Sequence, residues 1–196
     1  MNRRKFLLYS LYTLGSFYLA PNLHLTNIAH AADGHHVSPP YIKETYLQFA
    51  QPLQDRPSTN MIIIHHVGGT NRDVSAAEIH QWHLANGWAG IGYHYVIRKD
   101  GTIERGRPRT TIGAHCYGYN QTSIGINIVG DFEEAYPTDP QLQSREQLTA
   151  FLCELYKLNP SNNVIYGHRD LNSTLCPGKN LYCQLDDFRQ KVIAQM

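Results

Sequence analysis

Residues 61–67 read Met-Ile-Ile-Ile-His-His-Val, and this stretch decides how the rest of the chain is interpreted. Its β-branched run has the length of a strand and ends at Gly68-Gly69, which predicts a buried β-strand. His65 lies at the carboxyl end of that strand, where the backbone gives a functional side chain the rigid placement it needs. Because neighbouring residues of a strand face opposite sides of a sheet, we expect His66 to point away from His65 and to be structural.

Strand and helix patterns alternate through the rest of the chain. Ser75 and Glu78 form a capping-box pattern that begins a helix over residues 75–86, with Ile79, Trp82 and His83 at helical spacing. Further helices are predicted over residues 141–158 and 185–194, the first with a buried face of Leu142, Leu148, Phe151, Leu152, Leu155 and Tyr156. Further strands are predicted over residues 92–98, 103–107, 123–130 and 164–167, with an Asp-Gly hairpin between the first two. The expected fold class is α/β: a single domain with a mixed central sheet of five to six strands flanked by helices.

Residues 1–31 have the pattern of a cleavable export signal. A basic cluster, Arg3-Arg4-Lys5, precedes an uncharged run of residues 6–20, shorter than the roughly 18 apolar residues of a membrane span. Ala29-His30-Ala31 predicts cleavage before Ala32. The paired arginines followed by Phe6-Leu7 resemble a twin-arginine signal, the alternative being a general secretory signal with two chance arginines.

The expected organisation is therefore a signal at 1–31, a polar lead-in at 32–60 and a catalytic domain at 61–196. The expected location is the periplasm or cell envelope, or the medium after secretion, with no stable membrane insertion once the signal is removed.

Composition and charge exclude two broad classes. With 42% hydrophobic and 17% charged residues, the chain is globular rather than disordered. Its 17 basic and 16 acidic residues give a formal charge of +1, and without the leader 14 basic residues face 16 acidic ones. That balance argues against nucleic acid as a partner, since such binders carry a clustered basic excess.

The 11 histidines and four cysteines suggest either a metal site or disulfides. His65 and His168 each end a predicted strand, and Cys176 follows eight residues after His168. Two imidazoles and one thiolate suit Zn²⁺ and leave one tetrahedral position open. In an exported protein the alternative is two disulfides, for which four cysteines allow three pairings. If Cys176 instead binds a metal, we expect Cys153 to pair with Cys183, with Cys116 left over. A bond from Cys176 to Cys183 would remove the thiolate that the metal needs.

Short motifs in a fixed order carry a family resemblance. The motifs are Ile64-His65-His66, Gly92-Tyr93-His94-Tyr95, Asp100-Gly101, Gly113-Ala114-His115, Asn120, Ser123-Ile124-Gly125-Ile126, Gly130-Asp131-Phe132, Gly167-His168-Arg169-Asp170 and Cys176-Pro177-Gly178. Together they resemble the zinc-dependent N-acetylmuramoyl-L-alanine amidases of the phage-lysozyme and peptidoglycan-recognition-protein type. The resemblance covers residues 60–190.

The resemblance implies an activity and roles for individual residues. His65, His168 and Cys176 match the ligands of one Zn²⁺ per chain, and Tyr93 matches a tyrosine required for catalysis. The implied reaction is hydrolysis of the amide between N-acetylmuramic acid and L-alanine of the stem peptide, by zinc-activated water with Tyr93 assisting. The implied partner is peptidoglycan or a muropeptide, and the chain is expected to be a monomer.

Two departures place the chain within the family. One branch has Lys two residues before the third ligand, where this chain has Thr174, the residue that amidase-active recognition proteins commonly carry; we therefore treat Thr174 as catalytic. The cytoplasmic recycling branch has Glu and Asp where this chain has Asn127 and Cys176. The chain thus resembles the recognition-protein branch.

Other polar residues are candidates with weaker support. Three are expected to line the substrate groove: His115, Asn120 and Asn127. Two are expected to orient the ligands from behind: Asp170 and His94. Arg107 and Arg109 either meet carboxylates of the stem peptide or belong to a solvated basic loop.

Three other functions compete with an exported amidase. A binding module would use the same groove without hydrolysis, but loss of the cysteine ligand often marks that state, and this chain keeps both Cys176 and Tyr93. An antibacterial effector would use the same chemistry against neighbouring cells, which the export signal disfavours. A structural exported domain is disfavoured by the ordered motifs.

Overall fold

The fold comes from a computed structural model that describes residues 36–196. The predicted export signal and its cleavage site lie outside the described residues. Six strands form one sheet: β1 (Ile42–Lys43), β2 (Met61–His66), β3 (Tyr95–Ile97), β4 (Ile103–Arg105), β5 (Ser123–Ile128) and β6 (Ile165–Gly167). Four helices accompany it: α1 (Ala76–Ala85), α2 (Asp139–Tyr156), α3 (Lys179–Tyr182) and α4 (Leu185–Ile193).

The sheet is mixed, which confirms the predicted α/β class. Its strand order is β1-β4-β3-β5-β2-β6, and β3 with β4 is the antiparallel pair while the other neighbours are parallel. The long central pair, β2 and β5, runs in register from Met61 opposite Ser123 to His66 opposite Ile128. This register places His65 directly beside Asn127.

The two faces of the central pair differ in composition. On one face, which we call the isoleucine face, five buried isoleucines pack against α2 and α4: Ile62, Ile64, Ile124, Ile126 and Ile128. On the other, the polar face, the alternating residues are Ile63 and His65 from β2 and Ser123, Gly125 and Asn127 from β5. A smaller apolar cluster around Val96 and Ile79 packs α1 beside this face.

Two predicted core positions are exposed. Trp82 is 36% exposed and lies under the Arg72 guanidinium, 5.5 Å from the ring centroid, because it stands on the flank of α1 while Ile79 is buried. Leu155 is 42% exposed although it shares the helical phase of Leu148 and Leu152. Its neighbours Cys153 and Tyr156 still contact the core, so the exposure is confined to the position of Leu155 itself.

The helix starts show how local sequence sets the element bounds. Ser75 caps α1 by accepting from the Glu78 amide at 3.2 Å, but the Glu78 carboxylate pairs with Arg72 instead of completing the predicted capping box. A complete box occurs at α2, where Thr138 and Gln141 satisfy each other's backbone amides. This helix begins two residues earlier than the apolar periodicity predicts.

Residues 36–60, treated above as a lead-in, pack along the domain. β1 forms the outer strand beside β4, and the Val37 amide donates to the Glu154 carboxylate at 2.7 Å. The Arg56 guanidinium donates to the carbonyl oxygens of Arg109 and Thr111 at 2.6 and 3.0 Å. Among residues 36–196, no helix combines the length and apolar content that crossing a bilayer requires.

The four cysteines are free thiols. The predicted pairing of Cys153 with Cys183 is absent, because Cys153 is on the buried face of α2 in the core and Cys183 is exposed at the end of α3. Cys116 is buried beside the cleft described below, and Cys176 is half-buried.

Candidate metal centre and active site

Three side chains from two neighbouring strands and one loop meet at the carboxyl end of the sheet. His65 is on β2, His168 follows directly after the adjacent β6, and Cys176 ends the loop that returns from it. Their ligand atoms all lie within 4.8 Å of one another, and His65 Nδ1 is 3.6 Å from Cys176 Sγ. The sheet order therefore brings together residues separated by more than 100 positions in the sequence.

The second ring nitrogen of each histidine has a hydrogen-bond partner. His65 Nε2 is 3.0 Å from His115 Nδ1, and His168 Nε2 is 3.0 Å from Asn172 Oδ1. Cys176 Sγ accepts from the His66 amide at 3.4 Å. With one nitrogen of each ring occupied in this way, the other is left to face the cluster.

Burial sets the protonation of the cluster. It lowers the pKa of His65 well below the usual value, with further lowering from His115 and His168, and it lowers the pKa of His168 as well. Burial also raises the pKa of Cys176 to about 12, so only a cation at this place favours the thiolate. Zn²⁺ is commonly bound by neutral imidazoles and by thiolates that the metal itself helps to deprotonate. The two histidines and the cysteine of the cluster therefore fit Zn²⁺.

Tyr93 lies against the cluster, with its ring centroid 5.1 Å from that of His65. Burial, with a contribution from Cys176, raises its pKa, so the phenol remains a hydrogen-bond donor at neutral pH. Backbone contacts fix its position: Tyr93 O accepts from the Arg107 amide at 2.8 Å, and a Cβ on Gly106 would lie 2.2 Å from the same oxygen. Glycine at 106 is required by this close approach.

A cleft of about 800 Å³ opens beside the cluster. His168 and Thr174 line one side of it, and Trp88 and Arg107 line another part. Tyr117, also in its lining, is 89% exposed. The cluster is thus placed where an extended polar ligand can reach it.

Comparisons with known proteins agree with this geometry. The family model described as N-acetylmuramoyl-L-alanine amidase (Amidase_2) matches residues 54–179. The chain belongs to this amidase family. The predicted resemblance and the predicted enzyme class, N-acetylmuramoyl-L-alanine amidase, are therefore confirmed.

Relatives of the amidase include both enzymes and recognition proteins. An endolysin of Klebsiella phage KP32 is 38% identical over 132 residues, which are 64% of this chain and 85% of the endolysin. The solved N-acetylmuramoyl-L-alanine amidase LysC from Clostridium intestinale is 36% identical with a TM-score of 0.73, over 79% of this chain and 98% of LysC. A complex of peptidoglycan recognition proteins LCa and LCx with tracheal cytotoxin is 28% identical with a TM-score of 0.68, over 75% of this chain and 95% of the matched chain.

Four of the predicted site residues of the amidase line the cleft: His115, Asn120, His168 and Thr174. Thr174 Oγ1 accepts from the Cys176 amide at 3.2 Å, which leaves its hydroxyl proton to donate elsewhere. Asn120 Oδ1 accepts from the amides of His115 and Cys116 at 2.8 and 3.0 Å and so holds their loop, while its amide nitrogen has no hydrogen bond to residues 36–196.

His115, predicted to line the groove, is among the residues that line the cleft, although it is only 7% exposed; its ring is also the neighbour of His65. Its ring fills the space above Gly125, where a Cβ would lie 2.5 Å from His115 Cγ. The glycine of the Ser-Ile-Gly-Ile motif is required by this contact. Asn127 is completely buried beside His65, and neither polar atom of its amide has a hydrogen-bond partner within the described part of the chain.

His94 and Asp170 contact the centre indirectly. His94 immediately precedes β3, which begins at Tyr95. The His94 ring is completely buried 5.6 Å from that of His115, and it accepts from the Gly125 amide at 3.0 Å. Asp170 accepts from the Gly167 amide at 2.8 Å and from the Tyr182 hydroxyl, so it orients the turn rather than the His168 ring.

One contact of the cluster of His65, His168 and Cys176 was not predicted from the sequence. Asn172 lies in the loop that was considered only as a connection to Cys176, yet it is the partner of His168. The available signal was its place four residues after His168, one turn further along the chain. Arg107 is anchored by hydrogen bonds from Nε to Ile91 O at 2.7 Å and from Nη1 to Ile112 O at 2.8 Å, so it belongs to the wall of the cleft rather than to a solvated loop.

Proposed function

We propose that this peptidoglycan amidase is a zinc enzyme of the cell envelope. It would cleave the amide between N-acetylmuramic acid and the L-alanine of the stem peptide. The observation that carries the proposal is the cluster of His65, His168 and Cys176, which fits Zn²⁺ and lies beside the cleft. When bound, Zn²⁺ supplies a Lewis acid that polarises a carbonyl group and lowers the pKa of water.

The side chains around the cluster would donate hydrogen bonds to the reacting group and bind the substrate. Tyr93 keeps its proton at neutral pH and would donate a hydrogen bond to the scissile carbonyl oxygen as negative charge develops there. The Thr174 hydroxyl would donate a second hydrogen bond from the opposite loop. The amide nitrogen of Asn120 and the buried amide of Asn127, neither of which has a hydrogen-bond partner among residues 36–196, are our candidates for holding polar groups of the substrate.

Export is part of the proposal. Residues 1–31 would direct the chain through the twin-arginine pathway, and the mature protein would begin at Ala32. The expected result of replacing both Arg3 and Arg4 with Lys is retention of the protein in the cytoplasm, measured by cell fractionation. Unchanged export of that variant would favour the general secretory signal.

The direct test uses mature protein from Ala32 and purified peptidoglycan, with products read by mass spectrometry. We expect free stem peptides beginning with L-alanine, their loss with a chelator and their return with Zn²⁺. Tyr93→Phe should lower the rate by about 100-fold or more while Zn²⁺ stays bound. Tyr136→Phe, at an exposed tyrosine outside the cleft, is the matched control and should leave the rate unchanged.

A second function fits the same cleft. Because the similar recognition proteins are seen with tracheal cytotoxin, a module that binds peptidoglycan fragments without cleaving them is the alternative. One Zn²⁺ per chain without any released peptide would favour that alternative. Absence of Zn²⁺ from the purified protein would contradict the proposed metal ligands.

A further inference from the structure

The hydrogen bonds behind the two ligand histidines end on one loop, residues 116–120. We infer that this loop fixes the tautomer of both His65 and His168, so that each presents Nδ1 to the metal, with Ser123, His115 and Asn172 as positioning residues. The inference rests on the proposed zinc site. It changes His115 from a substrate-binding candidate into a residue that acts through His65.

The tautomer of His168 follows from the orientation of the Asn172 amide. Asn172 Nδ2 donates to the carbonyl oxygens of Tyr117 and Leu171 at 3.2 and 2.8 Å. Carbonyl oxygens only accept, so the amide nitrogen must face them and Oδ1 must face His168 Nε2, 3.0 Å away. Since Oδ1 also only accepts, Nε2 of His168 carries the proton and Nδ1 carries the lone pair. The Cys116 thiol donates to the same Oδ1 at 3.3 Å and reinforces this orientation.

The tautomer of His65 follows from a longer series of hydrogen bonds, which runs through Ser123 and His115. The Ser123 hydroxyl donates to the carbonyl oxygen of Tyr119 at 2.8 Å and thereby uses its single proton. Ser123 Oγ therefore accepts from His115 Nε2, at 3.4 Å the longest link of the chain. His115 Nδ1 then carries a lone pair and accepts from His65 Nε2 at 3.0 Å, which leaves the lone pair of His65 on Nδ1. That nitrogen is the one that faces Cys176 Sγ.

The loop is itself held in place for this purpose. Asn120 Oδ1 accepts from the amides of His115 and Cys116, which binds the end of the loop to its beginning. The Tyr119 amide donates to Cys116 O at 3.1 Å and closes a turn within it. The two series of hydrogen bonds end at the carbonyl oxygens of Tyr117 and Tyr119. Both oxygens therefore belong to a loop whose own hydrogen bonds hold it in place.

The first test reads the tautomers directly. Mature protein from Ala32, labelled with ¹⁵N-histidine and loaded with Zn²⁺, is measured by long-range ¹H–¹⁵N NMR. The expected result is a protonated Nε2 and a metal-bound Nδ1 for both His65 and His168. Binding through Nε2 at either histidine would overturn the inference while leaving the zinc site intact, whereas a chain that takes up no Zn²⁺ would overturn the proposed function.

The second test weakens each chain of hydrogen bonds separately. Ser123→Ala and Asn172→Leu remove one link each, and chelator competition measures the dissociation constant of Zn²⁺. We expect each to weaken binding by about 10-fold, the lower end for residues that orient metal ligands.

Ser144→Ala and Asn180→Leu are the matched controls, because each removes a side chain that donates to a backbone carbonyl outside the cleft, at Gly101 and Ala135. The controls should bind Zn²⁺ as the wild type does. Wild-type affinity in both Ser123→Ala and Asn172→Leu would overturn the positioning roles. Unfolding curves of the metal-free variants separate loss of orientation from loss of the fold.

Discussion

The isoleucine face and the polar face of β2 and β5 are built from the same two strands, yet they follow different rules. On the isoleucine face, five branched side chains are fully buried and pack against α2 and α4. On the polar face, the equally buried neighbours are His65, Ser123 and Asn127, with Gly125 left open for the His115 ring. The difference shows that burial on one face stabilises the fold, while burial on the other prepares polar groups for chemistry.

The largest effect should come from removing a proposed ligand that lies next to the polar face, beside His65. Cys176→Ala should abolish Zn²⁺ binding and lower amidase activity by at least about 1,000-fold, roughly 4 kcal/mol of transition-state stabilisation. Metal analysis and peptide release measure the two effects. Cys183→Ala, at the exposed cysteine, should change neither, and activity retained in Cys176→Ala would contradict the assignment.

The corresponding change on the isoleucine face should affect stability instead. Ile126→Ala removes a fully buried side chain and should lower the free energy of unfolding by about 2–5 kcal/mol, measured by urea denaturation. Zn²⁺ affinity of the folded protein should stay the same. Ile193→Ala, at a side chain 45% exposed, should cost much less. A loss of Zn²⁺ affinity in Ile126→Ala would show that the two faces are not independent.

Acid should lower the free energy of unfolding, because several buried histidines are neutral in the folded protein. Burial lowers the pKa of His83 to about 4 and that of His94 to about 3, while unfolded histidines titrate near 6.5. Because the folded pKa is the lower one, the unfolded state binds more protons below pH 6.5, and stability falls from there until the pH reaches the folded value.

Urea denaturation of the metal-free protein measures this effect. The free energy of unfolding should be about 5 kcal/mol smaller at pH 4.5 than at pH 7, because His83 and His94 each contribute about 1.36 kcal/mol per pH unit over about two units. His94→Gln should reduce that difference by removing one of the titrating groups. Equal stability at the two pH values would mean that these histidines are not buried in neutral form.

The smallest effect is expected at Asn127. Its buried amide has no hydrogen-bond partner within residues 36–196, so Asn127→Leu should leave stability unchanged or raise it by up to about 1 kcal/mol. If the amide holds substrate, KM should rise in the same variant. Destabilisation beyond about 1 kcal/mol would show that the amide is satisfied in the folded protein.

Most of the fold was predictable because its core follows simple periodicity. Alternation and capping residues located five of the six strands and the three longer helices to within a few residues. β1 was missed, because two residues that pair with an edge strand carry no apolar pattern. Trp82 and Leu155 were assigned to the core by helical phase, which says nothing about where the core ends.

The sequence predicted those site residues whose role follows from their residue type. It did not predict those whose role depends on which residues they contact in the fold. His65 and His168 at strand ends, with Cys176 after them, suggested a metal site, and the resemblance to the amidases implied the three proposed Zn²⁺ ligands. The contact between His65 and His115 could not be predicted from the sequence, because His115 is on a loop 50 residues further along the chain. Asn172 escaped for a similar reason: its role depends on which carbonyl oxygens its amide faces.

The position of β2 in the sheet has a consequence for how the protein is assembled. β2 lies between β5 and β6, so its second edge is left unpaired until β6 is made about 100 residues later. His168 and Cys176 come after that last strand. A chain growing from the ribosome therefore completes the cluster of His65, His168 and Cys176 only near the end of synthesis. Until then β2 and the loop that holds His115 have been made, but the two other residues of the proposed Zn²⁺ site have not.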